Sequence, residues 1–242
     1  MYQGGKSKIA RAIASVIVQA GGRCNTFVSL FCGSCAAESK ITGFQRMILN
    51  DKHEYLISLL QGVQDGYELP ETITFEQYQY IRENKDADRV LSGFVGFACS
   101  FGGKWFRGYA RSNGVRNYAA SGKRALLKDM ATLKNATFVC GDYRQLPIPP
   151  GAVIYADPPY KNTTGYLGEK FDTDEFWAYM RLLARAGHLV FVSEMEAPDD
   201  FVCIWQQSVA RTLNVNKNNQ LKVTEKLFTY KDVTYDEQRL DG

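Results

Sequence analysis

The stretch VIYADPPY, residues 153–160, couples a run of buried character to a stiff polar turn. Val153–Ala156 is apolar, β-branched in half its positions and bounded by turn residues, as expected of a strand buried on both faces. Asp157 precedes a proline, which drives it out of the helical region. Pro158 and Pro159 then fix their own φ angles and cannot donate backbone hydrogen bonds. The turn therefore presents a carboxylate, a free carbonyl and the ring of Tyr160 beyond the end of the strand. Two acceptors held rigidly in this way suit the two hydrogens of an exocyclic amino group, and an aromatic ring beside them suits a flat base. In open α/β sheets ligands sit beyond the carboxyl ends of the strands, which is where this turn would lie.

Further runs of the same kind surround it. Thr26–Cys32, Phe44–Leu49, Thr137–Cys140 and Leu189–Val192 read as strands. Helical patterns are expected at Ser7–Ala20, Lys52–Leu60, Lys123–Leu133 and Thr173–Ala186. Alternation of strand and helix predicts an α/β fold, a mostly parallel, Rossmann-like sheet with helices on both faces. Residues 63–135 interrupt the alternation with helical pieces and glycine-rich loops, and are expected to be an insertion between the second and third core strands. The alternating segments Val202–Thr212 and Lys222–Lys231 predict an antiparallel hairpin with Asn214–Asn219 at its tip.

Three strand ends carry chemistry in the same register as Asp157. The first ends in Phe31-Cys32-Gly33-Ser34, where a glycine lets a ligand approach the backbone. The second ends with Asp51, about twenty residues after that turn, where an acidic group can accept from ribose hydroxyls. The third offers Asp142. Together they point to a nucleoside-containing cofactor. The segment GGKS (4–7) resembles the end of a phosphate-binding loop but does not meet the G-x-x-x-x-G-K-[ST] spacing after a strand, so nucleotide hydrolysis is not expected. Cys32 and Cys35 form a C-x-x-C. A zinc site would require a second pair or adjacent histidines, and the chain has two histidines, His53 and His188. No metal is expected, and the cysteines read as buried reduced thiols of a cytoplasmic protein. No signal-peptide pattern or apolar run of membrane-spanning length is seen, so no membrane role is expected.

The net charge of +3 is unevenly placed. Ser100–Lys128 holds Lys104, Arg107, Arg111, Arg116, Lys123, Arg124 and Lys128 and no acidic residue, so this segment carries +7 and the remainder is net acidic. Trp105, Phe106, Tyr109 and Tyr118 lie among these charges, with glycines between them. Arginines and aromatics on glycine-bent loops suit a nucleic acid. Arg107 and Arg111 flank the turn Gly108-Tyr109-Ala110 and are the candidates for reading bases. Lys123, Arg124 and Lys128 are the candidates for following the phosphate backbone.

The order of these motifs, YQGGK (2–6), FCGS (31–34), a basic insertion and DPPY (157–160), resembles the Dam-type, alpha-group N6-adenine DNA methyltransferases over nearly the whole chain. CSFGGKWFRGYARS (99–112) suggests a phage-borne member. The resemblance implies a Rossmann-like methyltransferase domain formed by residues 1–62 and 136–242, with 63–135 as the target-recognition domain. It implies S-adenosylmethionine as cofactor and double-stranded DNA as substrate. Carried over residue by residue, Tyr2, Gly5 and Lys6 belong to the cofactor's methionine end, with Lys6 on its carboxylate. Phe31, Cys32 and Gly33 form the cofactor turn, Asp51 holds the ribose and Asp142 lies near the adenine. Asp157, Pro158, Pro159 and Tyr160 grip the target base, and Asp157 also borders the cofactor. Lys104, Trp105, Arg107, Tyr109, Arg111, Arg116, Lys123 and Arg124 are expected at the DNA. The loop KNTTGYLGEKF (161–171) is either a cover for the flipped base or a connector. Where the family has a second glycine, this chain has Cys35. No nuclease signature accompanies these motifs, and a separate restriction nuclease stays open as a partner. Two other readings also stay open: an inactive DNA-binding regulator on the same scaffold, and an amino-methyltransferase acting on RNA.

Overall fold

The computed structural model describes residues 6, 9–111, 116–159, 171–212 and 220–231, with side chains described for all of these except 210–212 and 220–222. Tyr2, Gly5, Tyr160, the 161–170 part of the loop after it and the expected hairpin tip lie outside the described residues.

Seven strands form one sheet: β1 (Thr26–Ser29), β2 (Arg46–Asp51), β3 (Thr137–Cys140), β4 (Val153–Ala156), β5 (Leu189–Glu194), β6 (Phe201–Thr212) and β7 (Gln220–Tyr230). Their order is β3-β2-β1-β4-β5-β7-β6. β1 to β5 pair in parallel, and β7 runs antiparallel between β5 and β6. This is a Rossmann-like sheet. Its winding reverses between β1 and β4, which places the topological switch point at their carboxyl ends.

The period-2 alternation of strand side chains sorts the core into two layers. Phe27, Leu49, Val153, Tyr155 and Phe191 pack against the first face with residues of α1 (Ala10–Gly21), α2 (Glu54–Gln64) and α5 (Tyr118–Met130). Val28, Ile48, Ile154, Val190 and Val192 pack on the other face with α6 (Thr173–Arg185), through Phe176, Trp177, Met180 and Leu183. Both faces of the central strands are covered, which is why their sequences read as continuous apolar runs rather than as alternation.

Residues 63–135 all lie between β2 and β3. A third apolar cluster holds this region together, with Leu59, Tyr78, Ile81, Phe94 and Val95 among its members. Its helices are α3 (Phe75–Glu83) and α4 (Arg89–Ala98), together with the facing sides of α2 and α5. Thr74 and Gln77 form a reciprocal capping box at α3, and Asp88 caps α4. α4 lies close on α2: a Cβ at Gly93 would stand 2.1 Å from the Tyr55 carbonyl oxygen.

Several boundaries differ from expectation. β1 ends at Ser29 because the chain departs from the sheet to build the turn at residues 30–35. α5 begins at Tyr118, five residues before the expected start, because Asn117 accepts from Ala120 N and nucleates the first turn. β6 carries a bulge between Cys203 and Trp205.

Candidate active site

The carboxyl ends of β1, β2, β3 and β4 lie along one edge of the sheet. After β1 the chain still follows β4, with Leu30 N donating to Tyr155 O at 2.9 Å, and then turns away. Cys32 N donates to Asn50 O, and Gly33 takes a left-handed φ of 49°. Gly33 N then donates to Asp51 Oδ2 at 3.0 Å, while Asp51 Oδ1 accepts from His53 N at 2.9 Å. The turn after β1 and the acidic end of β2 are thus fastened to each other. Each Asp51 oxygen keeps accepting capacity beyond these bonds. Burial raises the Asp51 pKa against the lowering effect of those two N–H groups. Asn50, 1% exposed, ties the same turn to β3 through bonds from Nδ2 to the carbonyls of Leu30 and Gly141.

Cys35 also adopts a left-handed backbone, with φ 58°. The position where the resemblance leads one to expect glycine therefore keeps a conformation that glycine adopts freely, with a buried cysteine in it. Cys32 is also buried, with its Sγ 3.9 Å from the Gly33 carbonyl oxygen. Burial pushes its thiol pKa up. Among the described residues no group of three or more histidine, cysteine, aspartate or glutamate side chains could hold a metal ion. Also among the described residues, no helix is long and apolar enough to cross a membrane. Phe31 packs its half-buried ring on Tyr143, with centroids 4.9 Å apart, and on Phe171 and Phe176. Asp142 accepts from the Arg144 guanidinium, which holds its pKa down to about 2.

The strongest electrostatic feature lies at the end of β4. Lys6 Nζ, on a side chain 3% exposed, lies 3.2 Å from Asp157 Oδ1 and donates to Glu225 Oε2 at 2.7 Å. Asp157 is the most open of the three at 22%. Glu38, 2% exposed, accepts from Ser29 Oγ at 2.7 Å, and burial drives its pKa up to about 8, with Asp157 and Asp51 adding repulsion. Burial also raises the Glu194 pKa. Pro158 is buried behind Asp157 and Pro159 is half-buried. The turn can therefore present an anionic acceptor whose direction is held by a buried cation.

Residues 2–97 match the family described as D12 class N6 adenine-specific DNA methyltransferase. The matched D12 residues take in Lys6, the turn after β1, Asp51 and helices α2 to α4, while Asp157 lies beyond them. No curated protein matches the chain. Among solved structures, a Pyrococcus horikoshii protein to which RNA methyltransferase activity is ascribed is 10% identical, with a TM-score of 0.43, covering 93% of this chain and 84% of the other. A dimethyladenosine transferase from Plasmodium falciparum is 11% identical, with a TM-score of 0.40 and coverage of 90% and 61%. A precorrin-6y C5,15-methyltransferase from Geobacter metallireducens is 8% identical, with a TM-score of 0.38 and coverage of 91% and 87%.

The basic segment of the chain divides into inward and outward residues. Trp105 sits among His53, Phe97, Tyr55 and Phe106, with centroids 4.5–5.1 Å away. Tyr109 donates its hydroxyl to Ile73 O at 2.6 Å and packs on Phe75 and Tyr78. Both aromatics, expected at the DNA, are engaged in internal packing. Lys104 is half-buried, and Lys123 is paired with Glu71 at 2.7 Å. Arg107, Arg111, Arg116 and Arg124 are exposed. Arg111 lies over the Phe75 ring and Arg116 over the Tyr118 ring. The last two arginines line a cleft of about 410 Å³ together with Thr72, Tyr109, Asn117 and Tyr118. Sequence reasoning missed Glu38 and Glu225. Glu38 gave a faint signal, being a lone acid in the turn after β1, whereas Glu225 sits in an alternating strand with nothing to mark it.

Proposed function

We propose that this chain transfers the methyl group of S-adenosylmethionine to the N6 amino nitrogen of an adenine flipped out of double-stranded DNA. The observation that carries the reading is the placement of Asp157 and the Pro158 carbonyl at the switch-point end of β4, with Lys6 3.2 Å from the carboxylate. The D12 match over residues 2–97 supports the methyltransferase class.

The residues at this edge suit the proposed cofactor. Gly33 and Cys35, both left-handed, shape the turn after β1 at the switch-point edge of the sheet. Asp51 retains accepting capacity for ribose hydroxyls and Asp142 stands at the next strand end. Tyr2 and Gly5 would join them. When bound, the cofactor supplies an electrophilic methyl group on a sulfonium.

The adenine amino nitrogen is a poor nucleophile because its lone pair is delocalised into the ring. Hydrogen bonds from its two hydrogens to Asp157 and the Pro158 carbonyl favour a pyramidal nitrogen with a directed lone pair. This is electrostatic preorganisation with proximity, and it requires no covalent enzyme intermediate. Tyr160 would stack on the base. Flipping costs a few kcal/mol of pairing and stacking, which contacts from the 63–135 region must offset. Arg107, Arg111, Arg116, Arg124 and Lys128 are among the exposed cations there and would meet base edges and phosphates.

The test is incubation of the purified protein with DNA free of methylated adenine and with labelled S-adenosylmethionine, followed by nucleoside analysis. N6-methyladenine should form, and Asp157→Ala should abolish it while the variant keeps its fold. A variant within tenfold of wild type, or no label in adenine, would refute the assignment.

A further inference from the structure

Glu225 lies in the second half of a hairpin, 219 residues from Lys6, and still holds the shorter of the two carboxylate contacts to its ammonium. The register explains how it arrives there. Glu194, the last residue of β5, pairs with Lys226, so Glu225 stands one step beyond the carboxyl end of β5. β7 runs antiparallel, so this early part of the strand reaches the same sheet edge as Asp157. Its side chain is 5% exposed and that of Lys6 is 3% exposed.

We infer that Glu225 is a positioning residue for methyl transfer, holding Lys6 so that the lysine orients Asp157 without neutralising it. This rests on the role proposed above for Asp157. A buried ammonium needs counter-charge, because desolvation otherwise strips its proton. If Asp157 were the sole counter-ion, it would be drawn to Lys6 and spent there. With Glu225 taking the closer contact, the three groups carry one positive and two negative charges. The excess negative charge falls on Asp157, the more open carboxylate, where an amino group can reach it. Among the described residues, Glu194, Glu38 and Tyr155 also act on this set. Glu194 interacts with Asp157, Lys6 and Glu225, and Tyr155 with Asp157, Lys6 and Glu38. Because Glu225 meets neither base nor methyl group in this scheme, it should act on turnover through Lys6 and not on DNA affinity.

The experiment compares wild type, Glu225→Gln and Glu225→Asp in two measurements. The first is kcat and KM for methyl transfer to DNA. Glu225→Gln should lower kcat about ten- to a hundredfold, the usual size of a lost charge-assisted bond, with KM for DNA unchanged, and Glu225→Asp should recover part of the loss. The second is competitive amine labelling of Lys6 across pH, read by mass spectrometry, which needs no catalysis. Loss of a counter-ion should shift the Lys6 labelling midpoint down by about one pH unit or more, so that it labels about tenfold faster below that midpoint. A labelling profile in Glu225→Gln equal to wild type overturns the inference, whatever happens to kcat, because Glu225 would then act other than through Lys6. Unchanged kcat beside a shifted profile overturns the positioning role. If wild type transfers no methyl to DNA, the proposed function fails by itself, and the labelling shift still decides whether Glu225 holds Lys6. Should Glu225→Gln fail to fold, Glu225→Asp is read in both measurements by the same criteria.

Discussion

Replacing Glu38 by glutamine should remove a large part of the pH dependence of folding stability. Glu38 is 2% exposed and accepts from Ser29 Oγ at 2.7 Å. Burial dominates its titration, outweighs the Ser29 bond, and with Asp157 and Asp51 nearby lifts its pKa from 4.5 to about 8. The native state therefore keeps this proton to about pH 8, while the unfolded chain releases it near 4.5. Between those limits the native state binds more protons, so stability falls as pH rises. The stabilisation is fully present below the unfolded pKa and is lost by the folded one. At about 1.4 kcal/mol per pH unit, the whole loss is roughly 5 kcal/mol.

Glutamine has nearly the same volume, stays neutral and retains an oxygen for Ser29. Glu38→Gln should match wild type near pH 4.5, exceed it by about 2 kcal/mol at pH 6 and approach the full roughly 5 kcal/mol advantage above pH 8. Urea unfolding of both proteins from pH 5 to 9 gives the difference directly. Titration of histidines and cysteines is common to the two and cancels. A difference that stays constant to within about 1 kcal/mol over that range would show that Glu38 does not fold as a buried, protonated acid.

Gly93→Ala should destabilise the helical region between β2 and β3. The new Cβ would meet the Tyr55 carbonyl oxygen at 2.1 Å and Leu59 Cβ at 2.9 Å, and backbone cannot swing aside as a side chain can. Overpacking of about 1–3 kcal/mol or more, less a helix-propensity gain of up to about 1, predicts a Tm lower by roughly 2–8 °C in calorimetry, and an unchanged Tm would refute the close approach. Cys35→Gly should change stability by no more than about 1 kcal/mol, because relief of the left-handed φ of 58° offsets the lost burial. Cys35→Val places a β-branched residue in the same conformation and should be clearly less stable than Cys35→Gly in urea, and the reverse order would be evidence against that backbone.

The chain order carries a good deal by itself. Val153–Ala156 and Leu189–Val192 were legible as strands because burial on both faces demands uninterrupted apolar residues. The turn at Asp157 was legible because proline restricts φ locally, whatever surrounds it. α6 announced itself through helical periodicity, and the structure adds Asp172 as its cap. These features depend on neighbours within a few residues. Tertiary structure decided the rest. The +7 segment could not reveal that Trp105 and Tyr109 turn inward, since an aromatic reads alike whether a base or Phe97 receives it. The hairpin was expected, but its insertion with β7 against β5 depends on which edge the sheet leaves open. Glu225 was silent for the same reason. Its meaning lies in an ammonium 219 residues away, and an ion pair is set by distance and desolvation in the folded chain, not by the spacing of residues along it.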